Sequence, residues 1–272
     1  MTPAHVHPAP AAASLGLLES VVVAATLVVA AAYVLCVVRL RRRRDSWPCA
    51  RLISFTAGLG AVVWAVLGVP LSGPFTAHMA QHLLVGMGAP LLIVLGRPLT
   101  LLLRALPPGR VRRGLVRLLH STPVGWLVVP PVAAVLDVGG LWLLYRTDLF
   151  AESQDRPLLH AAVDAHVLFA GLLFTFAVCQ LDPVHRRWRY AARGTTLLAA
   201  GAAHAVLAKS LYAAAPPGTA FTATDLHAGA QLMYYGGDVV GVALAVTLAA
   251  RWYITTGRSL TRRAKAAAVL PR

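Results

Sequence analysis

A short run of metal-ligand side chains opens one of the apolar stretches of this chain. It contains His78, Met79 and His82 within five residues. Positions four apart share one face of a helix, so His78 and His82 project in the same direction, and Met79 is close to His82. Imidazole and thioether groups together suit copper better than a hard cation. The stretch therefore predicts part of a copper site, which other elements must complete.

The composition is that of a protein built in a membrane. Of the 272 residues, 58% are hydrophobic and 13% are charged, whereas soluble domains carry about 25% charged residues. The three cysteines form no CxxC pair and no disulfide framework. These features exclude an ordinary soluble domain and predict a polytopic membrane protein.

Seven apolar runs predict an all-α bundle of seven transmembrane helices. The runs cover residues 15–40, 52–69, 78–95, 124–144, 160–181, 195–215 and 225–250. Nearly all of the 25 basic residues fall in the segments at one end of these runs. The positive-inside rule then places the N-terminus outside and the C-terminus in the cytoplasm. The net charge of +15 is explained by topology and needs no nucleic acid; anionic lipids are the expected partner of the basic inner loops.

The chain divides into three parts on this reading. Residues 1–14 are expected to be a disordered extracytoplasmic tail, 15–255 the seven-helix domain, and 256–272 a basic cytoplasmic tail. Within the inner segment 97–120, Val111 and Leu118 fall on one helical face, and Arg110, Arg113 and Arg117 on another. This pattern predicts an amphipathic helix on the cytoplasmic membrane surface.

The predicted topology brings several polar helix starts to the outer side. They are His78 and His82 of the third span, His160, Asp164 and His166 of the fifth, and Asp225 and His227 of the seventh. Asp164 shares a face with His160 and is expected to orient it. His166 projects elsewhere and either binds metal or bonds a neighbouring helix. Asp225 is either a polar partner of the site or a helix N-cap.

Further polar residues lie deeper in the spans. His227, Gln231 and Asp238 form one stripe along the seventh span, and Asp137, His204 and Lys209 are the other intramembrane ionisable groups. An Asp or Lys at mid-helix costs on the order of 2.5–3.5 kcal/mol on insertion, so such groups tend to pair. Lys209 is expected to pair with Asp137 or Asp238. The pair would either hold helices together or move protons or metal.

Three segments resemble one known family. They are HMAQHLLVGMGAPLLIVLGRP at 78–98, HAAVDAHVLFAGLLFTF at 160–176 with QLDP at 180–183, and DLHAGAQLMYYGGD at 225–238. Together they are similar to segments of the caa3-type cytochrome c oxidase assembly factors, and the resemblance covers roughly residues 15–255. The first segment is the most specific of the three.

The resemblance implies a multi-span membrane protein that acts in maturation of a haem-copper oxidase, at the copper-insertion step. The matching positions are His78, Met79, Gln81, His82, His160, His166, Asp182, Asp225, Met233 and Asp238. The chain departs from the family where Leu226 and His227 replace two glutamines and Tyr234 replaces a tryptophan. A histidine in place of glutamine keeps metal-binding capacity.

We therefore predict a bacterial plasma-membrane protein that helps assemble cytochrome c oxidase, with the oxidase subunits as partners. It would carry copper transiently at an outer-side site and would not be an enzyme. The predicted ligands are His78, Met79, His82, His160, His166 and His227. The predicted polar partners of these ligands are Gln81, Asp164, Asp225, Gln231 and Asp238. A haem-binding electron-transfer protein and a metal or proton transporter are the alternatives.

Overall fold

A computed structural model describes residues 16–183 and 187–269, with side chains described as far as residue 257. The tail predicted to be disordered lies outside the described residues. Every regular element in the described part of the chain is helical, which confirms the all-α prediction.

The described residues form thirteen α-helices and two π-helical segments. In chain order they are α1 (Leu17–Arg42), α2 (Cys49–Leu67), α3 (Pro74–His82), a first π segment (Leu83–Gly88), α4 (Ala89–Leu95), α5 (Pro98–Ala105), α6 (Arg110–Leu119), α7 (Thr122–Leu127), α8 (Pro130–Ala134), a second π segment (Val135–Gly139), α9 (Gly140–Arg146), α10 (Leu149–Asp155), α11 (Pro157–Cys179), α12 (Tyr190–Ala213) and α13 (Ala223–Val269).

Six helical stretches of the described chain are long and apolar enough to cross a membrane. They are Leu17–Arg42, Cys49–Leu67, Pro74–Ala105, Pro157–Cys179, Tyr190–Ala213 and Ala223–Gly257. The membrane prediction is thus confirmed, while the count of seven spans and their orientation stay predictions.

The predicted fourth span, 124–144, is not one helix. Its first part ends at Leu127, and Val129 has an extended backbone before α8 begins at Pro130. A proline disfavours the helical conformation of the preceding residue and lacks the N–H that would continue the hydrogen-bond ladder. Pro130 and Pro131 therefore break the helix.

Several other boundaries also differ from the predicted ones. The third span begins at Pro74, ahead of the predicted start at residue 78, because Pro is well suited to the first helical position. The last helix continues past residue 255 to Val269, so no break marks the predicted start of the cytoplasmic tail. Helix α6 is present and none of its residues is buried; its place on the cytoplasmic surface stays a prediction.

The first π segment follows from Pro90. Because Pro90 has no N–H, it cannot bond the Gly86 carbonyl, and the widened turn from Leu83 to Gly88 absorbs the defect. The freed carbonyl of Gly86 points at Gly171 of α11, where an added Cβ would overlap the oxygen. The lack of a side chain at Gly171 therefore lets α11 approach the third span closely.

Tyr33 joins α1 to the rest of the bundle close to Gly96, where α4 ends. Its hydroxyl donates to the Gly96 carbonyl at 2.7 Å and accepts from Trp47 Nε1 at 3.1 Å. Its ring stacks on Phe55 of α2, with centroids 3.9 Å apart. A buried phenol with both hydrogen-bonding roles satisfied fixes three elements at one point.

We predict that Gly171→Ala destabilises the protein by about 1–3 kcal/mol, the range for overpacking a close contact. Gly201→Ala is the matched control, because Gly201 also lies within a long helix but a Cβ there meets nothing within 4 Å. That change should raise stability slightly, by up to ~1 kcal/mol. Thermal unfolding of the purified protein in detergent measures both. Equal effects of the two substitutions would contradict the close-approach interpretation.

Candidate functional site

The start of the third span is capped by a side chain from the last helix. Asp225 Oδ2 accepts a hydrogen bond from the Phe75 N–H at 2.9 Å. Its Oδ1 accepts from the Thr76 N–H at 2.9 Å and from the Thr76 hydroxyl at 2.7 Å. These amides belong to the first turn of α3, whose N–H groups have no partner within their own helix.

Asp225 is therefore a cap for another helix. At the start of α13 itself, the Asp225 N–H donates to Thr222 Oγ1 at 3.3 Å. The sequence predicted Asp225 as either a polar partner of the site or the N-cap of its own helix, whereas its side chain bonds the first turn of α3. It anchors the helix that carries His78 and His82. We call the end of the bundle at which α3, α11 and α13 begin the histidine end.

Four rings from three parts of the chain meet below this cap. His78 Nε2 and the Tyr145 hydroxyl are 2.9 Å apart. The Tyr145 ring lies edge-on to His82, with centroids 6.2 Å apart, and His82 faces His204 at 6.1 Å with an interplanar angle of 22°. We call His78, Tyr145, His82 and His204 the histidine chamber.

The two deeper histidines are buried without hydrogen bonds. His82 is 5% exposed and His204 is 6% exposed. Within the described part of the chain, both ring nitrogens of His82 and Nε2 of His204 have no hydrogen-bond partner. A buried polar group left unpaired costs about 1–3 kcal/mol. The chamber therefore holds nitrogen atoms that a ligand would satisfy.

Matched depths in two helices bring these imidazoles together. His82 ends α3, and His204 lies in α12, which ends at Ala213. At a rise of 1.5 Å per residue, each histidine is roughly 12–14 Å from the histidine end of its helix. A Cβ at Gly237 would overlap the His204 ring, so the bare backbone of α13 makes room for that ring.

The thioether groups are close to this site but within the hydrophobic core. Met79 and Met233 are both fully buried and belong to the same cluster as Tyr145, Phe150 and Leu207. Met79 is thus a core residue of the cluster that includes Tyr145, and its role as a copper ligand stays a prediction.

A second polar cluster joins the third and fifth spans near the histidine end. It consists of Gln81, His160 and Asp164, and we call it the rim. Gln81 Nε2 donates to Asp164 Oδ2 at 3.3 Å, and His160 Nε2 is 3.5 Å from the same oxygen. Asp164 therefore orients His160, as expected from their spacing, and Gln81 holds Asp164 in turn. This is the arrangement of a histidine with a carboxylate partner that metal sites use.

Two predicted ligands are engaged elsewhere. His166 Nε2 donates to the Leu136 carbonyl of the second π segment at 3.2 Å, and His227 stacks on Tyr212 with centroids 4.1 Å apart. No group of three or more His, Cys, Asp or Glu side chains among residues 16–183 and 187–257 is arranged to hold a metal ion. Of the predicted histidines, the chamber contains only His78 and His82.

The expected ion pair of Lys209 with Asp137 or Asp238 is absent from the described residues. Lys209 instead places its ammonium 5.3 Å from the centroid of the Tyr234 ring, where the ring face attracts a cation. Asp137 lies in the second π segment. Gln231 and Asp238 are exposed on the surface of α13.

Sequence reasoning missed Tyr145 and the pairing of His204 with His82. Residue 145 was expected to begin an external loop, but it is a fully buried residue of α9. Its aromatic ring with a polar tip is typical of a buried residue that has a hydrogen-bond partner. The similar depths of His82 and His204 were a signal available from the span boundaries.

This fold and site define a class: a polytopic helical membrane protein with histidines gathered inside one end of the bundle. A family model described as cytochrome c oxidase caa3 assembly factor matches residues 31–255. The chain belongs to this family.

Mycobacterial proteins are similar to this chain, and all of those found are described as uncharacterised. Relatives from Mycobacterium bovis and Mycobacterium tuberculosis are each 38% identical over 196 residues, covering 69% of this chain and 30% of the relative. One from Mycobacterium leprae is 31% identical over 256 residues, covering 86% and 39%. The chain thus spans about a third of the length of these curated relatives. No solved structure matches it significantly.

We predict that Asp225→Ala lowers stability by about 1–2 kcal/mol, the upper part of the range for loss of a helix N-cap. The reason is that two amides and one hydroxyl of α3 lose their acceptor. Asp238→Ala is the control, because it removes an exposed carboxylate from the same helix and should change stability by no more than about 0.5 kcal/mol. Denaturant unfolding in detergent compares the two. Equal losses would show that the cap contributes nothing specific.

Proposed function

We propose that this chain assists cytochrome c oxidase assembly by carrying copper as its cargo in the histidine chamber. The observation that supports this most directly is the set of unpartnered nitrogens on His82 and His204. Their ring centroids are 6.1 Å apart, and both side chains are buried. The protein acts as a carrier in the plasma membrane of a bacterium, and oxidase subunits are its partners.

Copper fits the chemistry of these donors. Neutral imidazole is a good copper ligand, and thioether sulfur favours the Cu(I) state. His82 and His204 supply the nitrogens, and Met79 and Met233 supply buried thioethers in the adjoining cluster. Few ligands suit a cargo that must be released, because each additional ligand strengthens binding.

The rim residues have a receiving role in this proposal. His160 is held by Asp164, which Gln81 also contacts, and His78 is half-buried between the rim and the deeper pair. Copper reaches the rim first and then the chamber. His166 bonds the second π segment, and His227 stacks on Tyr212 of α12. We assign structural roles to both residues.

The transporter alternative has less support from the side chains. Lys209 contacts an aromatic ring, and Asp238 is exposed on the bundle surface. Among the described residues, Lys209 forms no ion pair with Asp137 or Asp238.

The basic helix α6 extends the proposal to lipids. Its arginines and its apolar residues Val111 and Leu118 are all exposed. Such a helix binds an anionic membrane surface through charge on one face and apolar insertion on the other. We propose that α6 rests on anionic lipid at the cytoplasmic surface.

We predict that the purified protein binds Cu(I) and that His82→Ala and His204→Ala each weaken binding at least tenfold. Each substitution removes one of the two facing imidazoles. Competition with a chromogenic Cu(I) chelator under anaerobic conditions measures the affinity.

His227→Ala is the matched control, because its imidazole is stacked on Tyr212 outside the chamber. Its affinity should equal that of the unsubstituted protein. Unchanged affinity in both His82→Ala and His204→Ala would refute the chamber as the copper site.

In the host organism, deletion of this gene should lower cytochrome c oxidase activity and the copper content of the oxidase. Complementation with the natural sequence should restore both, whereas the double variant His82→Ala/His204→Ala should not. Membrane spectra and metal analysis of the isolated oxidase provide the measurements. Normal oxidase in the deletion strain would refute the proposed function.

A further inference from the structure

Tyr145 occupies the position between the rim and the buried histidine pair. His78 is half-buried and lies one turn closer to the histidine end than His82. The Tyr145 ring packs edge-on against both imidazoles, with centroid distances of 5.9 Å to His78 and 6.2 Å to His82. A ligand that enters from the rim meets His78 and Tyr145 before it meets His82.

The tyrosine is held in this position by one hydrogen bond and one aromatic neighbour. Its hydroxyl is 2.9 Å from His78 Nε2. Phe150 of α10 packs against both partners of this bond, at 4.8 Å from His78 and 5.5 Å from Tyr145. Since the hydroxyl bonds His78, the nitrogens of His82 remain without a partner although the same ring lies beside them.

The local backbone gives this residue a way to move. Tyr145 is in the last turn of α9, which ends at Arg146, and Thr147 has an extended backbone. A short connection then leads to α10, the helix that carries Phe150. Helix ends open at lower free energy than helix interiors, so rotation of this last turn would withdraw the tyrosine and loosen Phe150 together.

We infer that Tyr145 is a gate within the histidine chamber. It closes the way to His82 and His204 and is kept closed by its hydrogen bond to His78. A ligand that binds His78 Nε2 takes the position of the tyrosine hydroxyl, breaks this bond and opens the way to His82 and His204. The gate rests on the proposed function in one respect, namely that copper is the ligand admitted. Access to His82 is a property of the protein alone and is tested without copper.

Diethylpyrocarbonate, which acylates accessible imidazole nitrogens, is a suitable probe of the full chain in detergent. Mass spectrometry of the digested protein gives the acylation rate of each histidine. We expect Tyr145→Phe to raise the rate at His82 several-fold, because the ring stays but its hydrogen bond is lost. Tyr145→Ala should raise it further, because the ring is gone.

Three controls separate gating from general loosening. Tyr235→Phe changes a tyrosine that is 66% exposed and should leave the rate at His82 unchanged. His160, at the rim, should react at the same rate in every variant. Cys179, which is fully buried away from the chamber, should stay unreactive towards an alkylating agent, which shows that the variant is folded.

The outcomes distinguish this inference from the proposed function. If His82 reacts at the same rate with Tyr, Phe or Ala at position 145, the gate is refuted, whatever the protein does with copper. If His82 becomes accessible in the variants but Cu(I) does not bind in a His82-dependent manner, the gate stands and the copper function fails. If both hold, Tyr145→Phe should also load Cu(I) faster at unchanged affinity.

Discussion

The bond between Asp225 and the start of α3 is the constraint on which the rest of the histidine end depends. Asp225 and Thr76 are 149 residues apart in the chain, yet one carboxylate satisfies two amides and a hydroxyl of the third span. The first amides of a helix have no partner within their own helix, so a carboxylate that accepts from them stabilises the helix start. The cap therefore fixes α13 against α3 in one register. That register sets His78 and His82 at their heights in the bundle.

A second carboxylate cap lies further along the same stretch, at the start of α5. Asp182, which follows α11, accepts from the Thr100 N–H at 2.8 Å and from the Thr100 hydroxyl at 2.5 Å. Burial raises the pKa of Asp182, while the bonds from Thr100 oppose that rise. Both capped helices begin with a proline two residues before the threonine, and both are entered through positive φ, 100° at Gly73 and 52° at Arg97. Two carboxylates, one at the start of α13 and one in the segment after α11, thus cap the starts of α3 and α5.

How well the sequence predicts the fold and the site depends on how far apart in the chain the interacting residues are. The apolar runs depend on local periodicity, so the all-helical, membrane-spanning character was predicted correctly. The i,i+4 spacing of His160 and Asp164 is local as well, and the two side chains lie 3.5 Å apart. The caps and the chamber depend on packing between distant helices, which periodicity does not encode. Charge alone suggested an ion pair for Lys209, but the neighbouring ring of Tyr234 was the available partner. The broken fourth span shows that two successive prolines interrupt a helix even within an apolar run.

The packing around the chamber bears on the alternative of a haem-binding protein. Axial histidines of a haem need a flat macrocycle between them, with open space in every direction of its plane. Here Gly237 closes on the His204 ring and the Tyr145 ring closes on His82, so the bundle is packed around the facing imidazoles. The ring centroids of His82 and His204 are 6.1 Å apart, so admitting a macrocycle would require the surrounding helices to move. The packing that leaves the nitrogens of His82 and His204 without hydrogen-bond partners therefore also limits the size of a ligand that could bind them.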